Sequence, residues 1–361
     1  MRKFYLGAAI AAAVCSSAHA DESHAVTVAK DHAPIGVMGD HMHKKGEVMF
    51  SYRYMRMEME GNRTGTDSIS PDEIVTTIPN RFFGAPMQPA TLRVVPLEMQ
   101  MNMHMLGAMY APADWVTVMA MGSYVSKEME SRAYMGGAGT TVLGDFSMKS
   151  SGFGDVKAAA LFRAFDRKTG AASHHGHFNL GLSLPTGSTT ETGEVLTPMG
   201  TTPTVRLAYP MQLGSGTYDL MPGVTYTGKG GAFSWGAQYI ATVRMGTNDE
   251  GYSLGDRHSA TSWAQFGPVP WVSFSGRVAY HHQGRTKGID PAIMGPMQAA
   301  NPDFHGGESI DIGAGVNFAL QHGSLDGHRF AVEVVVPVYE NFNGPQLEKN
   351  WTLTAGWQKS F

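Results

Sequence analysis

Cysteine is all but absent. The 361-residue chain holds one, Cys15, and it falls in the N-terminal leader. The remainder forms no disulfide and no thiolate metal site. Charge is also scarce, at 16% Asp, Glu, Lys and Arg, against roughly 25% in soluble domains. Past the leader, no apolar run approaches the roughly 18 residues of a transmembrane helix. The net charge of -4 gives no basic footprint for a nucleic-acid partner. Aromatic and β-branched residues recur along the whole length, which excludes a disordered chain. The abundant residues are glycine (44) and methionine (24).

Residues 1–20 read as a cleaved signal peptide. Arg2 and Lys3 form the basic region, Phe4 to Val14 the apolar stretch, and Ala18-His19-Ala20 the small-x-small cleavage site. The mature chain then starts at Asp21. Lipidation at Cys15 is the weaker reading, because Val14 is not the small residue usual before a lipidated cysteine. The chain is expected to be exported.

Beyond residue 46 the sequence alternates. Ile310, Ile312, Ala314, Val316 and Phe318 share one face, with Asp311, Gly313, Gly315 and Asn317 on the other. Phe330, Val332, Val334, Val336 and Val338 oppose Glu333; Phe274, Val278 and Tyr280 oppose Ser273, Ser275 and Arg277. Period-two segments of this length suit an antiparallel transmembrane β-barrel. Strands are expected at 47–59, 92–109, 115–130, 152–165, 174–185, 217–227, 232–245, 258–266, 271–283, 308–321, 329–339 and 350–361, with 202–212 left in a loop. Long connections (60–91, 131–151, 186–216, 246–257, 284–307 and 340–349) alternate with brief turns. This is the pattern of an all-β outer-membrane barrel of about 12 strands, with short periplasmic turns and long extracellular loops. Residues 47–361 form that barrel, and 21–46 are a periplasmic tail or a small plug.

The final strand carries Trp351, Leu353, Ala355 and Trp357 on one face and ends on Phe361. Trp357 and Phe361 resemble the signal by which outer-membrane proteins are recognised by the barrel-assembly machinery. Lys359 departs from that pattern, and its stem can reach the headgroups.

Ser151-Gly152-Phe153-Gly154-Asp155, Gly181-Leu182-Ser183-Leu184-Pro185-Thr186-Gly187 and Gly214-Ser215-Gly216 resemble the outer-membrane transporter family named for the meta-pathway of phenol degradation. Residues 33–40 and 52–57 resemble a methionine-rich branch of it. The resemblance implies a barrel with a transport role in the outer membrane of a Gram-negative cell, and carries no catalytic residues.

The polar faces supply a pore lining: Arg53, Glu98, Gln100, Asn102, His104, Arg163, Asp219, Arg244, Arg277, Asp311, Asn317 and Glu333. Twelve strands should leave a narrow, side-chain-constricted lumen. The bland alternative is a salt-bridged interior that only props the barrel open. Most methionines lie between Met38 and Met148. Met99, Met101, Met103, Met105 and Met109 share a face with Leu97 and are expected to touch lipid. Met55, Met57, Met119 and Met121 are expected to face inward. With His41, Met42 and His43 they form a candidate metal set, since thioether and imidazole suit Cu(I); adaptable packing is the competing account.

No nucleophile with a base in reach appears, so no enzyme is expected. The reading is an outer-membrane channel or transporter for a small solute, either a hydrophobic or aromatic compound or copper. No cofactor beyond copper is indicated. A non-conducting structural, adhesin-like or metal-sequestering barrel is the alternative.

Overall fold

A computed structural model describes residues 28–321 and 323–361. The expected signal peptide, its cleavage site and Cys15 lie outside the described residues.

Twelve strands build the wall: β1 (Val48–Gly65), β2 (Val94–Ala113), β3 (Val116–Tyr134), β4 (Val142–Phe153), β5 (Val156–Thr169), β6 (Ala172–Leu184), β7 (Tyr218–Gly230), β8 (Phe233–Met245), β9 (Arg257–Val269), β10 (Val272–Gln283), β11 (Gly307–Ala319) and β12 (His328–Ser360). Apart from β4 and β5, neighbours in the chain pair antiparallel, and β12 closes the ring on β1 with Met49 opposite Ser360. Three strands depart from one element per stave. β4 pairs with the upper part of β3 and β5 with its lower part, so together they form one stave broken at Gly154-Asp155. The 33-residue β12 pairs with β11 through its first half and with β1 through its second. An antiparallel ring closes only with an even number of staves, so β12 bends back and supplies two. The barrel has twelve staves.

Its outward face is apolar. Phe178, Leu180, Val224, Tyr239, Phe274, Val278, Ile312, Val332 and Val334 are exposed, in the alternation that the sequence predicts. At the short-turn end, Trp115 stacks near Phe162, Phe233 lies near Phe266, and Phe50 meets the terminal Phe361 edge-on at 6.1 Å. These rings form an aromatic girdle.

The wall is uneven in height. β1, β2 and β3 run to 18, 20 and 19 residues, whereas about 9–11 cross a bilayer. Their upper parts, with β4, carry an inverted pattern. Polar residues face outward in ladders: Glu58 accepts from Arg56 and Gln100, Lys149 pairs with Glu128 at 2.7 Å, and Arg132 donates both ways to Asp145 at 2.8 Å. The expected loop at 131–151 is therefore mostly strand, with only residues 135–141 connecting β3 to β4. The expected loop at 340–349 lies within β12. Residues 202–212 contribute only Thr204–Arg206, which pairs with Thr192–Glu194 away from the wall.

The long connections fold back over the mouth. A short helix, α1 (Pro71–Thr77), starts on a Ser70–Glu73 capping box and buries Ile74 and Val75. Leu207, Tyr209, Met211, Tyr252, Ile293 and Met297 join Met99, Met129 and Met148 of the wall in an apolar lid.

Candidate functional site: the lumen and its N-terminal segment

Strand register decides which side chains face inward, because cross-strand partners share a face. Met49 lies opposite Met109 and then Met119; Met55 lies opposite Met103, Met57 opposite Met101, and Met59 opposite Met99, Met129 and Met148. Met49, Met99, Met109, Met129 and Met148 are buried. One inner wall of the barrel is thus methionine from the short-turn end to the lid. Met55, Met57, Met119 and Met121 face inward as the sequence predicts. Met99, Met101, Met103, Met105 and Met109 do so too, which corrects the expectation that they touch lipid.

The same register corrects the lining residues of β2. Glu98, Gln100, Asn102 and His104 face outward. Tyr54 donates to Asn102 at 2.6 Å, and His104 lies 2.8 Å from the Tyr52 hydroxyl. Glu98 and His104 are therefore not in the lumen. Glu98 and Gln100 stand in the upper part of β2, where an outward polar face meets water or headgroups at little cost, and Asn102 and His104 find partners in Tyr54 and Tyr52. Arg163 sits beside the short turns, exposed and paired with Asp166 at 2.5 Å, so it flanks the short-turn end instead of lining the interior.

The remaining predicted lining residues face inward. Arg277 pairs with Glu333 at 2.6 Å, Arg244 pairs with Asp219, and Asp311 pairs with Lys349 at 2.5 Å. Arg53 is buried near the same end of the lumen as Gln358. Sequence reasoning missed Arg329, Lys157, Arg257 and Lys349. Strand parity would have found Arg329, which shares its face with Glu333, and Lys157, which shares its face with the predicted Arg163. Arg329 donates to Gln358 at 2.5 Å, Asn317 at 2.6 Å and the backbone carbonyl of Ala33 at 2.5 Å.

That last contact belongs to the segment before β1, which runs inside the barrel. Gln265 donates to the His32 carbonyl at 2.6 Å, and Gln238 to that of Met38 at 2.9 Å. The Gly36 N–H donates to Glu333 at 2.9 Å, and the His43 N–H to Thr117 at 3.0 Å. Ala33, Ile35 and Val37 are buried. The segment's backbone groups are satisfied by polar side chains from β3, β8, β9 and β12, which answers the demand that buried backbone be paired.

Three cavities lie at successive heights. An outer one of about 740 Å³ is walled by loop residues, including Pro86, Met87, Pro198, Ile293 and Met294. Below the lid, one of about 250 Å³ is lined by Met59, Met99, Met101, Met129 and Phe304. In mid-barrel, a cavity of about 310 Å³ is lined by Met119, Met121, Leu161, Met221 and Ile240 together with Lys157, Arg257 and Arg277. Gly36, Met38 and Gly39 floor it.

The three glycine motifs that carry the family resemblance meet at the break between β4 and β5. Asp155 accepts from the Gly187 N–H at 2.9 Å, the Ser215 N–H at 2.8 Å and the Ser215 hydroxyl at 3.0 Å. A Cβ on Gly214 would stand 2.4 Å from the Gly187 carbonyl, so only glycine allows this approach.

No family model and no curated protein matches the sequence. Among solved structures, the fold is similar to an outer membrane channel from Pseudomonas putida F1, with a TM-score of 0.55 and 12% identity over 90% of this chain and 98% of that one. Two further similarities are more distant. The beta domain of a Bordetella autotransporter, BrkA, gives 0.43 and 10% over 88% of this chain and 100% of that one. The P. putida toluene transporter TodX gives 0.39 and 8% over 88% and 91%. The first of these supports the barrel fold.

Proposed function

We propose that the chain is an outer-membrane channel for a small hydrophobic or aromatic solute. The observation that carries this reading is the succession of mainly apolar cavities from the loops down to mid-barrel, bordered by a methionine-rich inner wall. Thioether side chains adapt to irregular apolar shapes, and a largely apolar cavity with a few polar groups is the usual form of a small-molecule site. The apolar outer face, the aromatic girdle and the alternation of long and short connections support residence in the outer membrane, with the long loops outside the cell. Similarity to an outer membrane channel, and to the phenol meta-pathway family by its glycine motifs, agrees. Trp357 and Phe361, outward on the closing strand, suit recognition by the barrel-assembly machinery.

Expression of the chain in a Gram-negative host should raise uptake of labelled phenol or toluene and leave uptake of a sugar unchanged. Equal uptake of the aromatic compound with and without the chain would sink the proposal. The N-terminal segment in the lumen favours one second reading, a closed barrel that binds without conducting. Planar-bilayer recordings separate the two: discrete conductance steps support a channel, and silence supports the closed barrel.

A further inference from the structure

We propose that His32, His41 and His43 form a site for one divalent transition-metal ion of the imidazole-preferring kind, Zn²⁺ or Cu²⁺, at the short-turn end of the lumen. The rings of His32 and His41 lie 4.8 Å apart, and those of His41 and His43 lie 4.9 Å apart. Ligand atoms of His32, Asp40 and His41 fall within 4.8 Å of one another. Nitrogen ligands on one Zn²⁺ at about 2.1 Å stand roughly 3.4 Å apart, so modest side-chain rotation closes the set.

The unsatisfied atoms are the independent observation. His32 Nδ1, His41 Nε2 and His43 Nε2 are each buried without a hydrogen-bond partner, and His43 is only 4% exposed. Buried ring nitrogens left unpaired are costly. Their partner atoms are meanwhile occupied in the manner of metal ligands. His41 Nδ1 lies 2.9 Å from Asp40 Oδ1, and His43 Nδ1 lies 3.3 Å from Glu47 Oε2. For His41 and His43, the carboxylate behind the imidazole fixes its tautomer and turns its other nitrogen toward an ion. The second Asp40 oxygen accepts from the Ala33 N–H at 2.7 Å, so Asp40 orients His41 and braces the turn between His32 and His41.

A metal ion bound there would clasp the segment from 32 to 43 into a closed loop inside the barrel, reachable from the short-turn side. This inference does not depend on which solute crosses the barrel.

The test uses untagged full-length chain in detergent micelles, carrying His24→Ala and stripped with EDTA, titrated with Cu²⁺ and with Zn²⁺. We expect one ion per chain and, for Cu²⁺, an electron paramagnetic resonance spectrum with splitting from three nitrogens. His32→Ala, His41→Ala and His43→Ala should each weaken binding at least tenfold, and Asp40→Asn roughly tenfold. His258→Ala with His282→Ala, whose rings lie 6.2 Å apart on the outer wall, should leave the tight site intact. Tight binding that survives in the triple histidine variant would overturn the proposal, as would fewer than two nitrogen ligands in the parent spectrum. Where a variant does not reach the folded, heat-modifiable form, the parent's stoichiometry and nitrogen count decide alone, and absence of one-to-one binding overturns the site.

Discussion

Glu333 and Gly36, 297 residues apart in the chain, are joined by a hydrogen bond of 2.9 Å from the glycine N–H to the carboxylate. The other carboxylate oxygen holds Arg277 at 2.6 Å. Glu333 is 1% exposed, and breaking a buried pair from one side costs about 3–5 kcal/mol. Glu333→Gln should therefore lower the unfolding temperature seen by gel shift and loosen the N-terminal segment. Longer openings in bilayer recordings should follow, and an unchanged melting temperature would remove Glu333 from this role.

Gly36 offers a steric version of the same test. A Cβ there would lie 2.3 Å from Glu333 Oε2 and 2.9 Å from the Arg277 guanidinium. Gly36→Val should push the segment off its seat without altering any charge. Limited proteolysis should then cut between residues 28 and 46 severalfold faster than in the parent, while the barrel remains intact.

The inward face of β2 is open to a direct check, since the chain has no cysteine after Cys15. Spin labels at Met105→Cys and Leu106→Cys should behave oppositely. Position 106, exposed at 67%, should be relaxed by lipid-soluble oxygen. Position 105, buried at 8%, should not. Equal lipid accessibility would return the methionines of β2 to the bilayer.

That check bears on what the sequence could reveal. β9 to β11 are 13, 12 and 13 residues long, and apolar-out alternation reads them and the first part of β12 correctly, down to Arg277, Asp311 and Glu333. The tall upper parts of β1 to β4 stand clear of lipid, so their polar residues turn outward and the rule inverts. Apolar-out alternation therefore puts Glu98 and Met99 on the wrong faces and reads residues 142–151 as loop. The seat of the N-terminal segment was illegible for another reason. It depends on Gln238, Gln265 and Arg329, single residues on separate strands, which no local pattern unites.

Asp155 should act as a latch for the connection at 186–216. Asp155→Ala leaves the N–H groups of Gly187 and Ser215 without their acceptor, at about 1–3 kcal/mol for each group that stays buried. Hydrogen exchange in 186–216 should quicken by an order of magnitude or more, with β9 to β11 unaffected. Uniform protection would mean that the loop is held elsewhere.

His305 gives the lid a pH dependence. It is packed in the long connection before β11, with its Nε2 3.0 Å from the Ala299 carbonyl and its ring edge-on to Tyr209 at 5.3 Å. Burial lowers its pKa from 6.5 to about 4. The folded lid therefore takes up a proton less readily than the opened one. Its stability is intact above pH 6.5 and falls progressively as pH drops toward 4. Hydrogen exchange at 298–306 should accelerate over that interval in the parent and become flat in His305→Gln.

The uneven rim has a consequence for the route itself. If the barrel is the channel proposed above, with its long loops outside the cell, the tall methionine-faced staves carry the apolar surface offered to a solute beyond the bilayer into the aqueous zone. Transfer out of water is then spread along a ramp instead of occurring at one threshold. The ramp has a low side and a high side, so molecules arriving over β1 to β3 meet that surface sooner than those arriving over β9 to β11.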